Sequence, residues 1–278
     1  MARIDYASEY DNRARVPDHP AIIAGWASEA AAWRAAKGGE LDLAYGDSPR
    51  QRVDVFRPAK DGAAPLVLFI HGGYWRTLDK DHFSHLAAGL NARGIAVAVG
   101  GYDLCPTVTI RDIVGQMRRL SAFLYRRIGR PVIAAGHSAG GHLAAALVAT
   151  DWPALDPALP DGLVPAGLAV SGLFDLTPLL ETPVNDDLRL DEKEAQAMSP
   201  LLWDMAPDRR LEAWVGAEES GEYLRQSRVI AESWARAGAR TRTVAVPGAN
   251  HFTIVAQLAD AASPMVAALL EMVGEATR

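Results

Sequence analysis

Ser138 stands in a pattern that could perform nucleophilic catalysis. It is the central residue of Gly136-His137-Ser138-Ala139-Gly140, with an apolar run, Val132–Ala135, before it and a helix-forming run, Leu143–Ala149, after it. Strand, G-x-S-x-G and helix together describe a nucleophile elbow, a strained turn that exposes the serine hydroxyl at the positive end of a helix. The two glycines are required because a Cβ at either position would collide with the neighbouring strand or helix. The motif therefore predicts acyl transfer at Ser138.

A glycine-rich turn between a strand and a helix can also bind a phosphate group. The dinucleotide fingerprint G-x-G-x-x-G, however, requires a glycine where Ser138 stands. A structural serine in a tight turn is the remaining alternative on this stretch alone. The residues that could activate Ser138 decide between the two interpretations.

A nucleophilic serine needs a base, and His251 is the histidine best placed to be one. It lies in Pro247–Phe252, between the last predicted strand and the last predicted helix. That is the base position in enzymes whose triad follows the chain order serine, acid, histidine. His137 and His142 are close to Ser138 in sequence, but their side chains should project elsewhere, and His71 should order the loop that follows it. The remaining histidines are His19, His82 and His85.

The acid that orients such a histidine should follow the preceding strand, Leu211–Val215. Three glutamates stand there, Glu218, Glu219 and Glu222, and periodicity does not choose among them. A further candidate is Asp175, which follows the predicted strand Leu163–Val170.

Acyl transfer also requires N–H groups that stabilise a negatively charged oxygen. Ala139, directly after Ser138, can supply one of them. Gly72 and Gly73 follow the apolar run Pro65–Ile70, and glycines allow backbone N–H groups to face a ligand closely. We therefore predict an oxyanion hole at Gly72, Gly73 and Ala139.

Apolar strands that alternate with helices predict an α/β fold, with a mostly parallel central sheet and helices on both of its faces. We expect one domain over residues 1–278, with a helical arm at 1–40 and a cap-like insertion at about 172–208 over the active site. The predicted elements are a hairpin of Leu41–Tyr45 and Gln51–Phe56, strands at Pro65–Ile70, Ile95–Val99, Leu163–Val170, Leu211–Val215 and Thr241–Val246, and helices around residues 83–94, 110–124, 221–237 and 254–273.

Composition limits the classes of function. The net charge of −6 offers no basic surface for a nucleic acid, and we find no apolar run long enough to span a membrane. The lone Cys105 fits a reducing compartment, and no apolar leader is visible, so we expect a cytoplasmic protein. The histidines show no metal-ligand spacing, so neither a metal nor another cofactor is expected.

These motifs resemble those of kynurenine formamidase (arylformamidase) and its bacterial α/β-hydrolase relatives. The match begins with His71-Gly-Gly-Tyr-Trp75, where many esterases carry HGGG, and Gly136–Leu143. It continues through Gly101–Pro106, Ser171–Leu176, Val215-Gly216 with Ser220, Arg225–Ser227 and Asn250–Phe252. The resemblance thus covers most of the chain after residue 40 and implies an α/β-hydrolase fold.

Carried over position by position, the resemblance places the nucleophile at Ser138, the base at His251 and the acid at Glu219. The family usually has aspartate at the acid position, so this chain differs there by one methylene group. Tyr74 and Trp75 would place aromatic bulk beside the oxyanion loop, limiting the acyl group to formyl or acetyl and providing a wall for an aryl leaving group. The alternative is that both residues only pack the loop.

The resemblance implies hydrolysis of a small-molecule formamide, N-formylkynurenine, to kynurenine and formate in tryptophan catabolism. A carboxylesterase acting on small aryl or alkyl esters is the second interpretation, since the same residues would cleave such esters. A non-catalytic α/β-hydrolase scaffold is a remote third. We expect no nucleic-acid or membrane partner, and the quaternary structure admits a homodimer.

Overall fold

The computed structural model describes residues 3–59 and 66–277. The first two residues of the predicted arm and Pro65, the start of a predicted strand, lie outside the described residues. Within the described ranges, eight strands form one sheet in the order β1-β2-β4-β3-β5-β6-β7-β8. Their bounds are β1 Glu40–Ala44, β2 Arg52–Phe56, β3 Leu66–Ile70, β4 Ala96–Gly100, β5 Val132–His137, β6 Ala166–Val170, β7 Arg210–Gly216 and β8 Arg240–Val246.

The sheet is mostly parallel, as predicted. β1 and β2 form the predicted antiparallel hairpin, β2 pairs antiparallel with β4, and the remaining neighbours are parallel. Alternate residues of β3 enter different hydrophobic clusters: Leu68 and Ile70 belong to one, and Val67 and Phe69 to the other. A central strand buried on both faces explains the continuous apolar run at this position.

Helices pack on both faces of the sheet. Their bounds are α1 Tyr6–Glu9, α2 Asn12–Arg15, α3 His19–Lys37, α4 Ala87–Ala92, α5 Ile110–Ile128, α6 Ala139–Val148, α7 Trp152–Leu155, α8 Asn185–Leu188, α9 Glu192–Ala197, α10 Gly221–Arg236 and α11 Pro264–Ala276. Short 3₁₀ turns lie at Lys80–His82, Ser84–Leu86, Asp161–Leu163, Thr177–Glu181, Pro200–Leu202 and Ile254–Ala259. Side chains of α5, α6 and α10 contribute to one cluster, and those of α3, α4 and α11 to the other.

The limits of α5 are visible in its sequence. Thr109 and Asp112 form a reciprocal capping box at its start, and Gly129 adopts the left-handed conformation directly after its end. Its apolar residues at helical spacing, from Ile110 to Leu124, are buried. The prediction for this helix is therefore confirmed.

Two predicted helices are interrupted. The segment at 83–94 has a 3₁₀ turn, Ser84–Leu86, before the short α4. The predicted helix at 254–273 is a 3₁₀ turn that ends before Asp260, and α11 starts anew at Pro264. Proline has no N–H and favours the first helical position, while the Ser263 side chain caps the new helix by accepting from the N–H of Val266.

The carboxyl ends of parallel strands meet at one edge of the sheet, which is where ligands bind in such folds. Strand β3 lies between β4 and β5, so the loop after β3 is adjacent to the turn after β5. The loops after β6, β7 and β8 follow along the same edge.

Candidate active site

Ser138 occupies a turn that tolerates no larger neighbours. Its φ is +57°, in the left-handed region, and its N–H donates to the carbonyl of Val170 at 2.7 Å. A Cβ on Gly136 would lie 2.0 Å from the carbonyl oxygen of Gly140, and one on Gly140 would lie 2.0 Å from that of Ile70. The crossing of strand and helix is thus too close for side chains, which is the geometry that a nucleophile elbow requires.

The loop after β3 lies directly against this turn. A Cβ on Gly72 would be 2.9 Å from the Cβ of Ser138, and Gly73 has a φ of +104°. Ala139 is the first residue of α6, where backbone N–H groups have no partner within the helix. The structure therefore brings Gly72, Gly73 and Ala139 to the nucleophile turn.

His71 and Tyr102 hold the carbonyl side of this loop. The Nδ1–H of His71 donates to the carbonyl oxygen of Gly72 at 2.7 Å, and the Tyr102 ring stacks on the imidazole at 4.2 Å. Burial lowers the pKa of His71 to about 4, so the ring is neutral at pH 7. In a trans peptide, the C=O and N–H groups point in opposite directions. The N–H of Gly73 therefore points away from His71.

Glu219 and His251 are directly hydrogen-bonded. His251 Nδ1–H donates to Glu219 Oε2 at 2.7 Å, and both residues are buried. The other carboxylate oxygen, Oε1, accepts from the hydroxyl of Ser171 at 2.6 Å and from the N–H of Gly216 at 2.7 Å. The loops after β6, β7 and β8 thus converge on one carboxylate, which holds the imidazole in a single tautomer.

The other acid candidates are exposed or paired with other residues. Glu218 is exposed. Glu222 accepts from the Tyr10 hydroxyl at 2.9 Å and from the Arg225 guanidinium at 2.8 Å, while Asp175 lies 3.4 Å from Arg225. Within the described residues, only Glu219 of these four is hydrogen-bonded to His251.

His137 has a role that its sequence position did not reveal. Its Nε2–H donates to the backbone carbonyl of His251 at 2.8 Å, and the two rings lie 4.8 Å apart. Burial lowers the pKa of His137 to about 3, with a contribution from His251, so His137 is neutral. The contact depends on where the loop after β8 lies, so no sequence spacing could indicate it.

Ser138 and His251 open onto the same cleft, which has about 900 Å³ of open volume. The cleft is lined by Ala7, Tyr10, Asp11, Asn12, Arg13, Ile23, Trp26, Gly73, Tyr74, Arg76, Thr77, Leu78, His137, Ser138, Thr182, Pro183, Val184, His251 and Phe252. Among residues 3–59 and 66–277, no direct hydrogen bond joins Ser138 to His251. Catalytic hydrogen bonds often tighten only once substrate is bound.

The N-terminal arm forms a wall of this cleft, which sequence analysis did not foresee. The hydroxyl of Tyr74 donates to the carbonyl of Tyr10 at 2.7 Å and lies 2.7 Å from the hydroxyl of Tyr223. The side-chain amide of Asn12 donates to that Tyr223 hydroxyl at 2.8 Å. The Tyr223 ring in turn packs 4.7 Å from the ring of His251. No local motif marks these contacts, and the three hydrogen bonds among them join residues more than sixty positions apart.

Trp75 does not line the cleft, which corrects its expected position. Its side chain is fully buried and meets His142 edge-on at 5.0 Å. Left-handed backbone at both Tyr74 and Trp75 turns the chain back, so the indole enters the core while Tyr74 stays at the cleft. The Phe, Tyr and Trp side chains that line the cleft are those of Tyr10, Trp26, Tyr74 and Phe252.

No group of three or more His, Cys, Asp or Glu residues in the described ranges could hold a metal ion. The same ranges contain no helix that is long and apolar enough to cross a membrane.

The chain is similar to known hydrolases in sequence and in fold. A kynurenine formamidase of Danio rerio is 31% identical over 243 residues, which cover 84% of this chain and 82% of that protein. The kynurenine formamidase of Drosophila melanogaster is 33% identical, over 78% and 76% of the two chains. A crystal structure of a candidate thioesterase from Silicibacter sp. superposes with a TM-score of 0.85 at 33% identity, covering 95% and 98%. No protein-family model matches the chain.

Sheet, elbow and relatives together define an α/β hydrolase that acts on ester or amide bonds. Within that class, the chain belongs to the kynurenine formamidase family.

Proposed function

We propose that the protein is an arylformamidase that cleaves N-formylkynurenine or a similar aryl formamide with a Ser138–His251–Glu219 triad. The observation that carries the proposal is the 2.7 Å hydrogen bond between His251 and Glu219 at the cleft that Ser138 also lines. A base fixed in one tautomer and facing a nucleophile turn is the arrangement that acyl transfer requires.

The first step forms an ester between the protein and the formyl group. His251 Nε2 takes the hydroxyl proton as Ser138 Oγ attacks the formyl carbon. The carbonyl oxygen, now negatively charged, accepts hydrogen bonds from the N–H groups of Gly73 and Ala139, with Gly72 setting their approach. His251 then donates its proton to the leaving nitrogen, and the aryl amine departs.

The second step repeats this chemistry with water. His251 removes a proton from a water molecule, which attacks the formyl ester, and the same N–H groups stabilise the second oxyanion. Ser138 leaves with the proton that His251 returns, and formate is released. Throughout, Glu219 offsets the positive charge that develops on the imidazole.

The cleft supports an aryl group on the leaving side. Trp26, Tyr74 and Phe252 line it next to the reacting residues and offer flat apolar surface to a ring. We further propose that the enzyme works in the cytoplasm on a small molecule, without nucleic acid or membrane, and that its quaternary structure admits a homodimer. Light scattering on the purified protein tests the last point.

The decisive experiment compares kcat/KM for N-formylkynurenine with that for p-nitrophenyl acetate. An ester has the better leaving group, so a formamide that is cleaved at least as efficiently reveals a site built for it. A strong preference for the ester would instead favour the carboxylesterase interpretation. Turnover of neither substrate would favour a non-catalytic scaffold.

A further inference from the structure

The cleft combines aromatic and charged side chains. Trp26, Tyr74 and Phe252 line it together with Ser138 and His251, and the short segment before α3 contributes two charged residues, Asp11 and Arg13. An apolar site with a few charged groups of opposite sign suits a ligand that is aromatic at one end and zwitterionic at the other.

Arg13 is available to a ligand. Its side chain is exposed, and it has no ion pair or hydrogen bond with any of the described residues. The other arginine of the cleft, Arg76, is paired with Asp187. Arg15, two positions along the same helix, is paired with Glu9 at 2.8 Å and does not line the cleft.

Asp11 also keeps part of its carboxylate available. Its Oδ1 accepts from the N–H of Ala14 at 3.0 Å as the N-cap of α2, and no cationic side chain within the described ranges pairs with it. Asp11 and Arg13 therefore present opposite charges to the cleft without neutralising each other.

The residue between them anchors this segment to the protein. Asn12 is buried, and its side-chain amide is hydrogen-bonded to Tyr223, which packs on His251. The backbone that carries Asp11 and Arg13 is thus anchored, through Asn12 and Tyr223, beside the loop that carries His251.

We propose that Asp11 and Arg13 bind the α-ammonium and α-carboxylate groups of an aryl formamide whose ring carries an amino-acid side chain. This inference rests on the proposed function and adds the residues that would distinguish such a substrate from a plain aryl formamide. Arg13 would contact the carboxylate through its guanidinium, which matches a carboxylate in geometry.

The first test uses turnover. Arg13→Gln should lower the ratio of kcat/KM for N-formylkynurenine to that for formanilide by about tenfold, the lower end of what a charged hydrogen bond contributes. Asp11→Asn should lower the same ratio while keeping the helix cap, because asparagine caps as well as aspartate. Arg15→Gln, on the same helix but outside the cleft, is the matched control and should leave the ratio unchanged. Equal losses on both substrates, or no loss on either, would overturn the inference and leave the proposed function standing.

The second test does not need formamidase activity. L-Kynurenine and the uncharged 2′-aminoacetophenone are compared as inhibitors of p-nitrophenyl acetate hydrolysis. Arg13→Gln should raise the inhibition constant of L-kynurenine about tenfold more than that of 2′-aminoacetophenone. If the wild type cleaves the ester but not the formamide, the proposed function fails, and this measurement still decides the binding site. Inhibition by L-kynurenine that does not depend on Arg13 overturns the inference in either case.

Discussion

The two sides of the cleft are built in different ways. On the elbow side, the backbone turns at the strand ends leave no room for a side chain. A Cβ on Gly136 or on Gly140 would lie 2.0 Å from a backbone carbonyl oxygen. On the arm side, the chain is attached by side chains: Tyr10 and Trp26 are buried, and single hydrogen bonds join Tyr10 to Glu222 at 2.9 Å and Asn12 to Tyr223 at 2.8 Å. The backbone turns are rigid because strands surround them. A side-chain hydrogen bond of the arm, in contrast, can be removed by a substitution that deletes a single atom.

This difference separates chemistry from recognition. The groups proposed to react must be held within fractions of an ångström, which buried strand ends achieve. The arm would contact only the part of a substrate that does not react, so it can be attached to the rest of the protein less rigidly. Substitutions on the elbow side should therefore lower kcat, and those on the arm side should mainly raise KM. The following predictions test this contrast, starting with the largest effect.

Ser138→Ala should lower kcat by about 10⁴-fold or more, since it removes the nucleophile while the methyl group fits the same space. Steady-state kinetics on an ester and a formamide measure the loss, and circular dichroism controls for the fold. The double variant with His251→Ala should be hardly less active than either single one, because triad residues act as a unit. A variant that keeps a tenth of the wild-type rate would rule out Ser138 as nucleophile.

Glu219→Gln should cost about 10²–10³-fold in kcat, because the amide can stabilise the wrong imidazole tautomer and cannot offset its positive charge. Glu218→Gln is the matched control: its carboxylate is exposed one residue away, and the loss should stay below about threefold. Comparable losses in the two variants would contradict the assignment of Glu219 as the acid.

Acid should destabilise the elbow side through its buried histidines. Burial lowers the pKa of His71 and His142 to about 4 and that of His137 to about 3. An unfolded chain takes up these protons below about pH 6.5 while the folded chain does not, so the free energy of unfolding falls as the pH drops. Each histidine contributes up to about 1.4 kcal/mol per pH unit between pH 6.5 and its folded pKa.

Urea unfolding at pH 6 and pH 5 measures this slope. His142→Gln keeps a donor for the carbonyl of Met198, which His142 Nε2 contacts at 2.8 Å, but has no titrating group. In this variant, the free energy of unfolding should depend less steeply on pH than in the wild type. The difference should be the contribution of one histidine, up to about 1.4 kcal/mol per pH unit. A slope equal to that of the wild type would mean that His142 is not the source.

Tyr10→Phe should have the smallest effect, about 1 kcal/mol on the docking of the arm. The hydroxyl donates to Glu222 and accepts from Gln226, but Arg225 still pairs with Glu222 after its removal. We expect KM for a formamide to rise severalfold with kcat nearly unchanged, and amide exchange of the arm to accelerate. Tyr6→Phe, at a hydroxyl with no hydrogen bond among the described residues, is the control. A fall in kcat as large as that of Glu219→Gln would contradict the division between the two sides.

Local sequence determined the turn at Ser138, the glycine loop after β3 and most of the sheet. The motif Gly136–Gly140 specifies a tight turn, because only glycine fits where the strand and the helix cross. The apolar run of β3 specifies a strand that is buried on both faces. His251 was identifiable because its place after the last strand follows from the order of the elements. The break before Pro264 was missed, because the periodic apolar pattern continues through Ser263-Pro264, although that pair is a typical helix start.

Tertiary structure alone decided the rest, because it depends on which distant side chains meet. Spacing could not choose among Glu218, Glu219 and Glu222, since the choice follows from where the turn after β7 meets Ser171 and His251. The side chain of Trp75 lies outside the cleft because Tyr74 and Trp75 both have left-handed backbone conformations, which redirect the chain. Nothing in the local sequence indicates these conformations. The arm reached the cleft through hydrogen bonds that span more than two hundred residues, such as Tyr10 to Glu222. Such contacts leave no periodic trace in the sequence, because each depends on the complete fold for its geometry.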